Sequence, residues 1–515
     1  MTLFAQLYIY DTDHEISNRI GTLQNPERAP DKDIVQGLTQ MLDENSNLVR
    51  SYRKARDMFE AQPHTTFHLR LPEARTGDGR QYNIPTEYEV GGLIVGELTE
   101  KKFERDIIVH HRTRGLTHID ELHPSYMSMA YPLIHPYGED GYILGITLEN
   151  RGSQTFKRQA LMMCQYYCFR LQQRANEGHT LLLVGRLLQQ YIVDAYMTVE
   201  QERFRWIQTH QNELRTELYL GLMDAVNHGD SDSSTVGKSV ILPSSHTGGP
   251  RYRAQNYHDA MAICRWVGYP DLFITFTCNP KWPEINDMLG LIGQKDDSNR
   301  VDIVCRMFEI KLQQLMHYIK KEQPFDRVMA CLYTIEFQKK GLPHAHILIF
   351  LHPSMKNPSP EYIDKIISAE IPDINIDPDG YTAVKKSMLH GPCGQANTSS
   401  PCMQQGKCRK FFPKKFNDAS TIGEDDYPIY RRRDTGVFVE RKGVVLDNRY
   451  VIPYNRNLLV KFNAHINVEL CNSARSIKYL FKYINKGPDR ATAVIETTEE
   501  RDEIRSYLDC SFFYG

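Results

Sequence analysis

The sequence predicts an α+β protein, with an antiparallel sheet flanked by helices in the C-terminal half and a mixed, largely helical region before it. Three observations carry this. Residues 328–351 alternate apolar and polar on both sides of a Gly/Pro-containing turn, the period-2 pattern of a β-hairpin. Residues 155–226 carry apolar residues at helical spacing with almost no Gly or Pro. The second half then reads β–α–β–β–α–(insert)–β–α.

Composition bounds the class. A chain of 515 residues is long enough for roughly two to four domains. A 41% hydrophobic and 24% charged content is that of a soluble globular protein. No apolar run approaches the ~20 residues of a bilayer span. The start, MTLFAQLYIYDTDHE, lacks a basic region and meets acids early, so it does not read as a secretory signal. With a net charge of −2 the chain is no bulk polyanion binder, and any nucleic-acid surface must be local. The eleven cysteines are scattered except for one group, as in reduced proteins.

Three regions follow: a mixed α/β region at 1–150, a helical region with a polar linker at 151–240, and a sheet domain at 241–515. In the first, 34–60 reads as one helical segment and 105–111 as a short strand. The Pro-, Tyr- and His-rich stretch 121–141 has no period and reads as an ordered connector, with His123 and His135 as hydrogen-bonded histidines. The Tyr and Met residues of 155–226 read as core, and Arg203, Arg205 and Trp206 as a solvated helix face. The linker at 228–240 contains Gly237-Lys238-Ser239, the tail of a P-loop. Asp232 stands where the first P-loop glycine belongs and no strand precedes it, so a nucleotide site is rejected.

In the third region a helix is predicted over 257–267, a half-buried strand over 273–279 with Thr275, Thr277 and Asn279 on its polar side, and a helix over 302–321. In the hairpin, a turn near Lys340 sets Glu336 opposite His344 and Thr334 opposite His346. Opposed Cβ atoms lie about 4.5–5.5 Å apart. An isolated His-x-His is more often just two half-exposed histidines. The opposed Glu336 and the apolar far face shift the reading toward a divalent-metal site of Glu336, His344 and His346. Ser359-Pro360 starts a helix running to about Ala369.

The insert, 385–416, holds His390, Cys393, Cys402 and Cys408, a His-x2-Cys and a looser Cys-x5-Cys that suit a structural Zn²⁺ site. It is also basic, with Lys407, Arg409, Lys410, Lys414 and Lys415 interleaved with Phe411, Phe412 and Phe416. Arg431, Arg432 and Arg433 form a second basic cluster, and both suit a phosphate backbone. Residues 459–469 alternate cleanly and read as a strand with Asn463, His465 and Asn467 on its polar face. Finally, CNSARSIKYLFKYINKGP reads as a capped helix with Tyr479 and Tyr483 at i, i+4, and Lys482 and Lys486 on an adjoining face.

The segments FTCNPKWPEI, EFQKKGLPHAHILI, HGPCG with CMQQGKCRKFFPKKF, and YLFKYINKG resemble the successive motifs of the Rep region of Helitron transposases, which are HUH endonucleases. RDIIVHHR, ELHPSYMSMAYPLIHPYGEDG and LPSSHTGGPRYRAQNYHDAMAICRWVGYPDLF are similar to that family as well, so the resemblance covers nearly the whole chain. It implies an HUH-type antiparallel sheet on which His344 and His346 are the HUH histidines, with Glu336 as third ligand to Mg²⁺ or Mn²⁺. It implies Tyr479 and Tyr483 as paired nucleophiles that cut single-stranded DNA at transposon ends through a 5′-phosphotyrosyl intermediate. Lys482 would position phosphate or stabilise phenolate, and Asn463, His465 and Asn467 would line the DNA path or support the site, with a satisfied polar sheet face as the equal alternative. A nuclear location follows from the family alone. Full Helitron proteins continue into a Pif1-type helicase. This chain stops at Gly515 and shows no Walker A motif, so it is expected to cut and join DNA but not to unwind it, as a truncated remnant or with a separate helicase partner. The alternatives are a catalytically silent, transposon-derived DNA-binding protein and, less well supported, an unrelated His-x-His metallohydrolase.

Overall fold

The computed structural model describes residues 15–21, 31–61, 107–111, 115–148, 160–174, 180–214, 241–291, 293–294, 300–338, 341–356, 358–423 and 428–471. The described residues divide into two compact units, one within 15–210 and the other within 211–471. The expected linker 228–240 and the expected tyrosine helix lie outside the described residues. No helix among the described residues is long and apolar enough to cross a membrane.

In the first unit, α1 (Glu15–Gly21) is tied to its neighbours by an Arg53–Glu15 ion pair of 2.7 Å. The single helix expected over 34–60 is two, α2 (Lys32–Asn45) and α3 (Asn47–Ala61). The break is local chemistry. Ser46 Oγ accepts from the Val49 amide at 3.3 Å, and the Asn47 amide leaves the helix for the Tyr137 carbonyl at 3.0 Å. Gly138 crosses so close at φ +64° that a Cβ there would lie 2.7 Å from Ser46 Oγ, so only glycine fits. The expected strand near 105–111 is β1 (Ile107–His111), paired with β2 (Gly115–Ile119). The connector 121–141 is irregular around one short helix, α4 (Tyr126–Ala130). Its histidines are bonded as expected: His123 Nδ1 accepts from the Ser125 amide at 3.1 Å, and His135 Nδ1 lies 2.8 Å from Glu139.

The helical stretch resolves into α5 (Met163–Arg170), α6 (Thr180–Leu183) and α7 (Arg186–Thr209). Leu188, Tyr191, Ala195 and Val199 form one stripe of α7 and pack on Tyr126, Met127, Tyr131, Met163 and Tyr167, so Met163, Tyr167 and Tyr191 are core as expected, whereas Met162 and Tyr196 are exposed. Arg203 pairs with Glu200 and Arg205 with Asp120, while Trp206 stacks on His210.

The second unit is built on a four-stranded antiparallel sheet. Its helices α8 (Pro250–Val267), α9 (Pro283–Gly290) and α10 (Val301–Lys321) surround β3 (Leu272–Thr277), β4 (Val328–Phe337) and β5 (Pro343–Leu351). Pro250 at the first turn after Gly249 lets α8 begin earlier than expected. Next come α11 (Pro360–Ile366) and α12 (Pro378–Ser387), then the insert with β6 (Met403–Gln404) and β7 (Lys407–Cys408), the short strands β8 (Thr421–Ile422), β9 (Pro428–Ile429), β10 (Val439–Arg441) and β11 (Val444–Leu446), then α13 (Arg456–Phe462) and β12 (His465–Leu470). The order across the sheet is β12-β3-β5-β4. Helix α11 stops short of Ala369 because Ser368 instead bridges Tyr454, amide to carbonyl in both directions.

The strand expected over 459–469 is a correction: its first half is helix. Asn455 caps α13 through the Leu458 amide, Leu458, Leu459 and Phe462 bury on one helical face, and Asn463 turns the chain in the left-handed region at φ 44°. Only 465–470 is strand. Apolar residues at 458, 460, 462, 464, 466 and 468 alternate in the sequence whether the chain is extended or coiled. Tertiary burial of the 458/459/462 stripe decided the outcome.

One face of the sheet is apolar. Ile466, Phe276 and Ala345 align, as do Val468, Ile274 and Ile347. They pack on Trp282, on Ile285 and Leu289 of α9, on Phe308, Leu312, Leu315 and Ile319 of α10, and on Leu458 and Phe462 of α13. Each such side chain, fully buried, stabilises by roughly 1.5–3 kcal/mol. The opposite face is split. Ala260 and Cys264 of α8 cover the end carrying Leu348 and Phe350, and the other end carries polar side chains.

Candidate functional site

Antiparallel register builds the site. Two rows cross all four strands on the polar face: His465–Thr277–His344–Glu336, and Asn467–Thr275–His346–Thr334. The expected oppositions of Glu336 with His344 and Thr334 with His346 are both present. Both histidines stand on β5, a central strand paired on both sides, and both are buried, at 8% and 9% exposure.

Three donor atoms converge. His344 Nε2 lies 2.8 Å and His346 Nε2 3.1 Å from Glu336 Oε1, and the two Nε2 atoms are 3.0 Å apart. Protons do not satisfy this triangle well. If both imidazoles donate to the carboxylate, two N–H groups face each other at 3.0 Å. A shared cation does satisfy it. Adjacent ligands of an octahedral ion with bonds of about 2.1 Å are separated by roughly √2 times that, about 3.0 Å, whereas a tetrahedral ion spreads them to about 3.4 Å. The donor set of one carboxylate oxygen and two imidazoles suits Mg²⁺ or Mn²⁺ least awkwardly as Mn²⁺, which takes imidazole more readily. His344 Nδ1 is buried without a hydrogen-bond partner among the described residues, so nothing but its Nε2 contacts anchors that ring by polar bonds.

Two supporting residues were not evident from the hairpin alone. Thr275 Oγ1 stands 3.4 Å from His346 Nδ1, and Phe273 stacks on the His346 ring with centroids 5.5 Å apart. Their polar-side alternation was visible in the sequence; their register against β5 was not. At the far edge, His465 Nδ1 bonds the Ser387 carbonyl at 2.8 Å. Burial holds that imidazole below the ordinary histidine range, with the Ser387 carbonyl opposing the shift. Asn463 Oδ1 accepts from Lys386 at 3.0 Å, and Asn467 Nδ2 donates to Glu469.

A second cluster lies in the insert. One ligand atom each from His390, Cys393, Cys402 and Cys408 falls within 4.8 Å of all the others. The loose Cys-x5-Cys spacing has a local cause: β6 (Met403–Gln404) and β7 (Lys407–Cys408) form a hairpin whose loop residues, Gln405 and Gly406, both have positive φ. The hairpin folds Cys408 back beside Cys402. Phe412 stacks on His390 with centroids 4.3 Å apart.

The basic residues divide. Lys407, Arg409, Lys410 and Lys415 are exposed, and Phe411 is 79% exposed with Lys414 Nζ 5.8 Å from its ring centre. The Arg431–Arg433 cluster differs from the open cation patch expected. Arg432 is only 4% exposed and donates to the carbonyls of Ala369, Asn448 and Val451; burial lowers its pKa to about 10. Arg431 pairs with Asp364 at 3.1 Å, and Arg433 with Glu370 at 2.7 Å. Arg432 braces the interior of the unit, while half-buried Arg431 and exposed Arg433 are held in ion pairs at its surface, a division that consecutive basic residues in a sequence do not reveal. Tyr479, Lys482 and Tyr483 lie outside the described residues.

Residues 166–349 match the family model described as the Helitron helicase-like domain at N-terminus. The match supports the resemblance to the N-terminal region of Helitron transposases, a transposase-type enzyme family. It takes in Glu336, His344 and His346, and ends before the insert and β12. No curated protein matches the chain.

Proposed function

Proceeding from the Helitron helicase-like domain carried by residues 166–349, we propose that the chain nicks single-stranded DNA and transfers the cut strand, in a metal-dependent reaction of the HUH type. The observation that supports this most is the triangle of Glu336 Oε1, His344 Nε2 and His346 Nε2, with sides of 2.8–3.1 Å. Those three residues would hold Mg²⁺ or Mn²⁺, and an ion bound there supplies Lewis-acid polarisation of a scissile phosphate.

The remaining chemistry belongs to the chain. The phenolic oxygen of Tyr479 or Tyr483 attacks phosphorus, the P–O3′ bond breaks, and the departing oxygen takes up a proton as a free 3′-hydroxyl. The phosphate remains esterified to tyrosine, so attack by another 3′-hydroxyl restores a phosphodiester without ATP. Two tyrosines allow two cuts in succession. Lys482, one residue from Tyr483, would neutralise phosphate charge. The row from His465 to Glu336 is the strip of the sheet along which the strand would lie. Phe411 with Lys407, Arg409, Lys410 and Lys415 would give a further grip on single-stranded DNA by stacking and charge.

A nicking assay on purified protein with single-stranded oligonucleotides and Mn²⁺ or Mg²⁺ tests this. The expected product is a covalent protein–DNA adduct that survives denaturation and is lost on His344→Ala or on the double change Tyr479→Phe, Tyr483→Phe. Metal-dependent cleavage that persists in the double tyrosine variant would overturn the tyrosine mechanism in favour of hydrolysis. Binding with no adduct under either metal would favour a silent DNA-binding protein.

A further inference from the structure

We propose that His390, Cys393, Cys402 and Cys408 bind one Zn²⁺ ion, and that this ion is the staple that closes the insert into a fixed loop between its backbone anchors on the sheet domain. The inference does not depend on the nicking reaction.

Four observations carry it. First, the four ligand atoms lie within 4.8 Å of one another, and Cys408 Sγ is 3.3 Å from His390 Nε2. Ligands around tetrahedral zinc, with Zn–S bonds of about 2.3 Å, are separated by roughly 3.3–3.8 Å. Second, three free thiols and one imidazole are a poor set for a disulfide, which would strand one sulfur, and a complete set for zinc. Third, backbone turns fold the later pair of ligands together: the Arg409 amide donates to the Cys402 carbonyl at 2.8 Å and the Phe411 amide to the Cys408 carbonyl at 2.9 Å. Fourth, little else holds this loop. Residues 391–402 contain no regular element, β6 and β7 are two residues each, and the largest hydrophobic cluster near the insert draws only Met388 and Leu389 from its start.

Four protein ligands leave no open position, so the ion is structural. Its reach follows from the chain on the His390 side. The His390 amide donates to the Tyr450 carbonyl at 2.9 Å, and Leu389 bridges Val451. Three residues earlier, Ser387 holds His465 on the polar face of the sheet. On the other side, Lys414 donates its amide to the Arg449 carbonyl at 3.0 Å. Fixing His390 to Cys408 therefore closes a loop whose two ends are anchored in the sheet domain, and it fixes the backbone from which Phe411 projects.

The test is metal content and Co²⁺ spectroscopy of the full chain. Protein produced with zinc and dialysed against metal-free buffer is expected to retain about one Zn²⁺ per chain. Replacement by Co²⁺ is expected to give a thiolate-to-metal charge-transfer band with tetrahedral d–d bands. Cys402→Ser and Cys408→Ser should each abolish both signals, and His344→Ala and Glu336→Ala should leave them unchanged. Should the cysteine variants fail to fold, protection of Cys393, Cys402 and Cys408 from alkylation in the wild-type chain, lost on chelation, reads the same point. Absence of tightly held zinc together with no charge-transfer band overturns the proposal. So does a band that survives the double change Cys402→Ser, Cys408→Ser, or zinc that is lost with His344→Ala instead.

Discussion

The two ligand clusters of the second unit are made by opposite strategies. Glu336, His344 and His346 stand on adjacent strands of one sheet, and backbone register alone brings their donor atoms to within 3.1 Å. His390, Cys393, Cys402 and Cys408 stand in a loop where only a two-residue hairpin and a few backbone bonds bring them together. The first is held by the backbone ladder of the sheet, with hard and borderline donors that suit an exchangeable cation. The second has soft donors and little frame of its own. The difference teaches that a sheet supplies preorganisation, whereas a loop must take it from its ligand.

The sharpest way to break this comparison is to remove one ligand from each cluster and read both activity and structure. His344→Ala is expected to lower adduct formation by on the order of 10²–10³-fold or more while thermal unfolding barely moves, because the frame stays intact. Cys408→Ser should do the reverse in kind: zinc is lost and amide exchange within 388–416 speeds up by on the order of 100-fold, as hydrogen exchange with mass spectrometry would show. If Cys408→Ser left exchange in that loop unchanged, the loop would be self-supporting and the contrast would fail.

A smaller effect sharpens what the insert is for. Phe411→Ala should weaken single-stranded DNA binding by roughly 1–3 kcal/mol, about 5- to 150-fold, with no change in zinc content. Fluorescence anisotropy against an oligonucleotide measures it, and unchanged affinity would reduce Phe411 to surface filler.

Two effects near 1 kcal/mol probe the joint between the clusters. Asn463→Ala should destabilise by about 1 kcal/mol in urea melts, and Asn463→Gly should recover most of it, because the position needs left-handed backbone. Asp377 caps α12 through the Gly380 amide and pairs with Arg456 of α13 at 2.7 Å. The Arg456 bonds, only partly opposed by burial, hold its carboxyl below the ordinary aspartate range. The sign follows from a lowered folded pKa. The pair's contribution is present above the unfolded value near 3.9 and is lost as pH falls through the folded value. At an exposed site this amounts to about 1 kcal/mol or less. Asp377→Asn should therefore narrow the stability difference between neutral pH and pH near 3.

The sequence made the hairpin site legible because everything it needed was local: two arms, one turn and a period of two, which set Glu336 against His344. The insert's four ligands were legible by residue type, although the hairpin explaining their spacing was not. Residues 459–469 misled because alternation at 458–468 satisfies a strand and a helical stripe alike, and the decision lay with the Asn455 cap and distant α10. Helices α9 and α12 were missed because each is short and begins at a proline that reads first as a breaker. The fate of Arg432 depended on carbonyls at 369, 448 and 451, none of them near it in sequence.

The order β12-β3-β5-β4 carries a consequence for synthesis. As the chain leaves the ribosome, β3, β4 and β5 are all available once residue 351 has emerged, and they already hold the complete ion-binding triangle. The edge strand that finishes the polar rows, β12, is translated more than a hundred residues later, after the whole insert. At translation rates of about 5–20 residues per second, β12 follows β5 by several seconds, and until it arrives the sheet edge at β3 has no native partner. During that interval β3 exposes a free row of backbone donors and acceptors beside Thr275 and Thr277, and the fidelity of folding rests on α13 delivering β12 to that edge before another strand does.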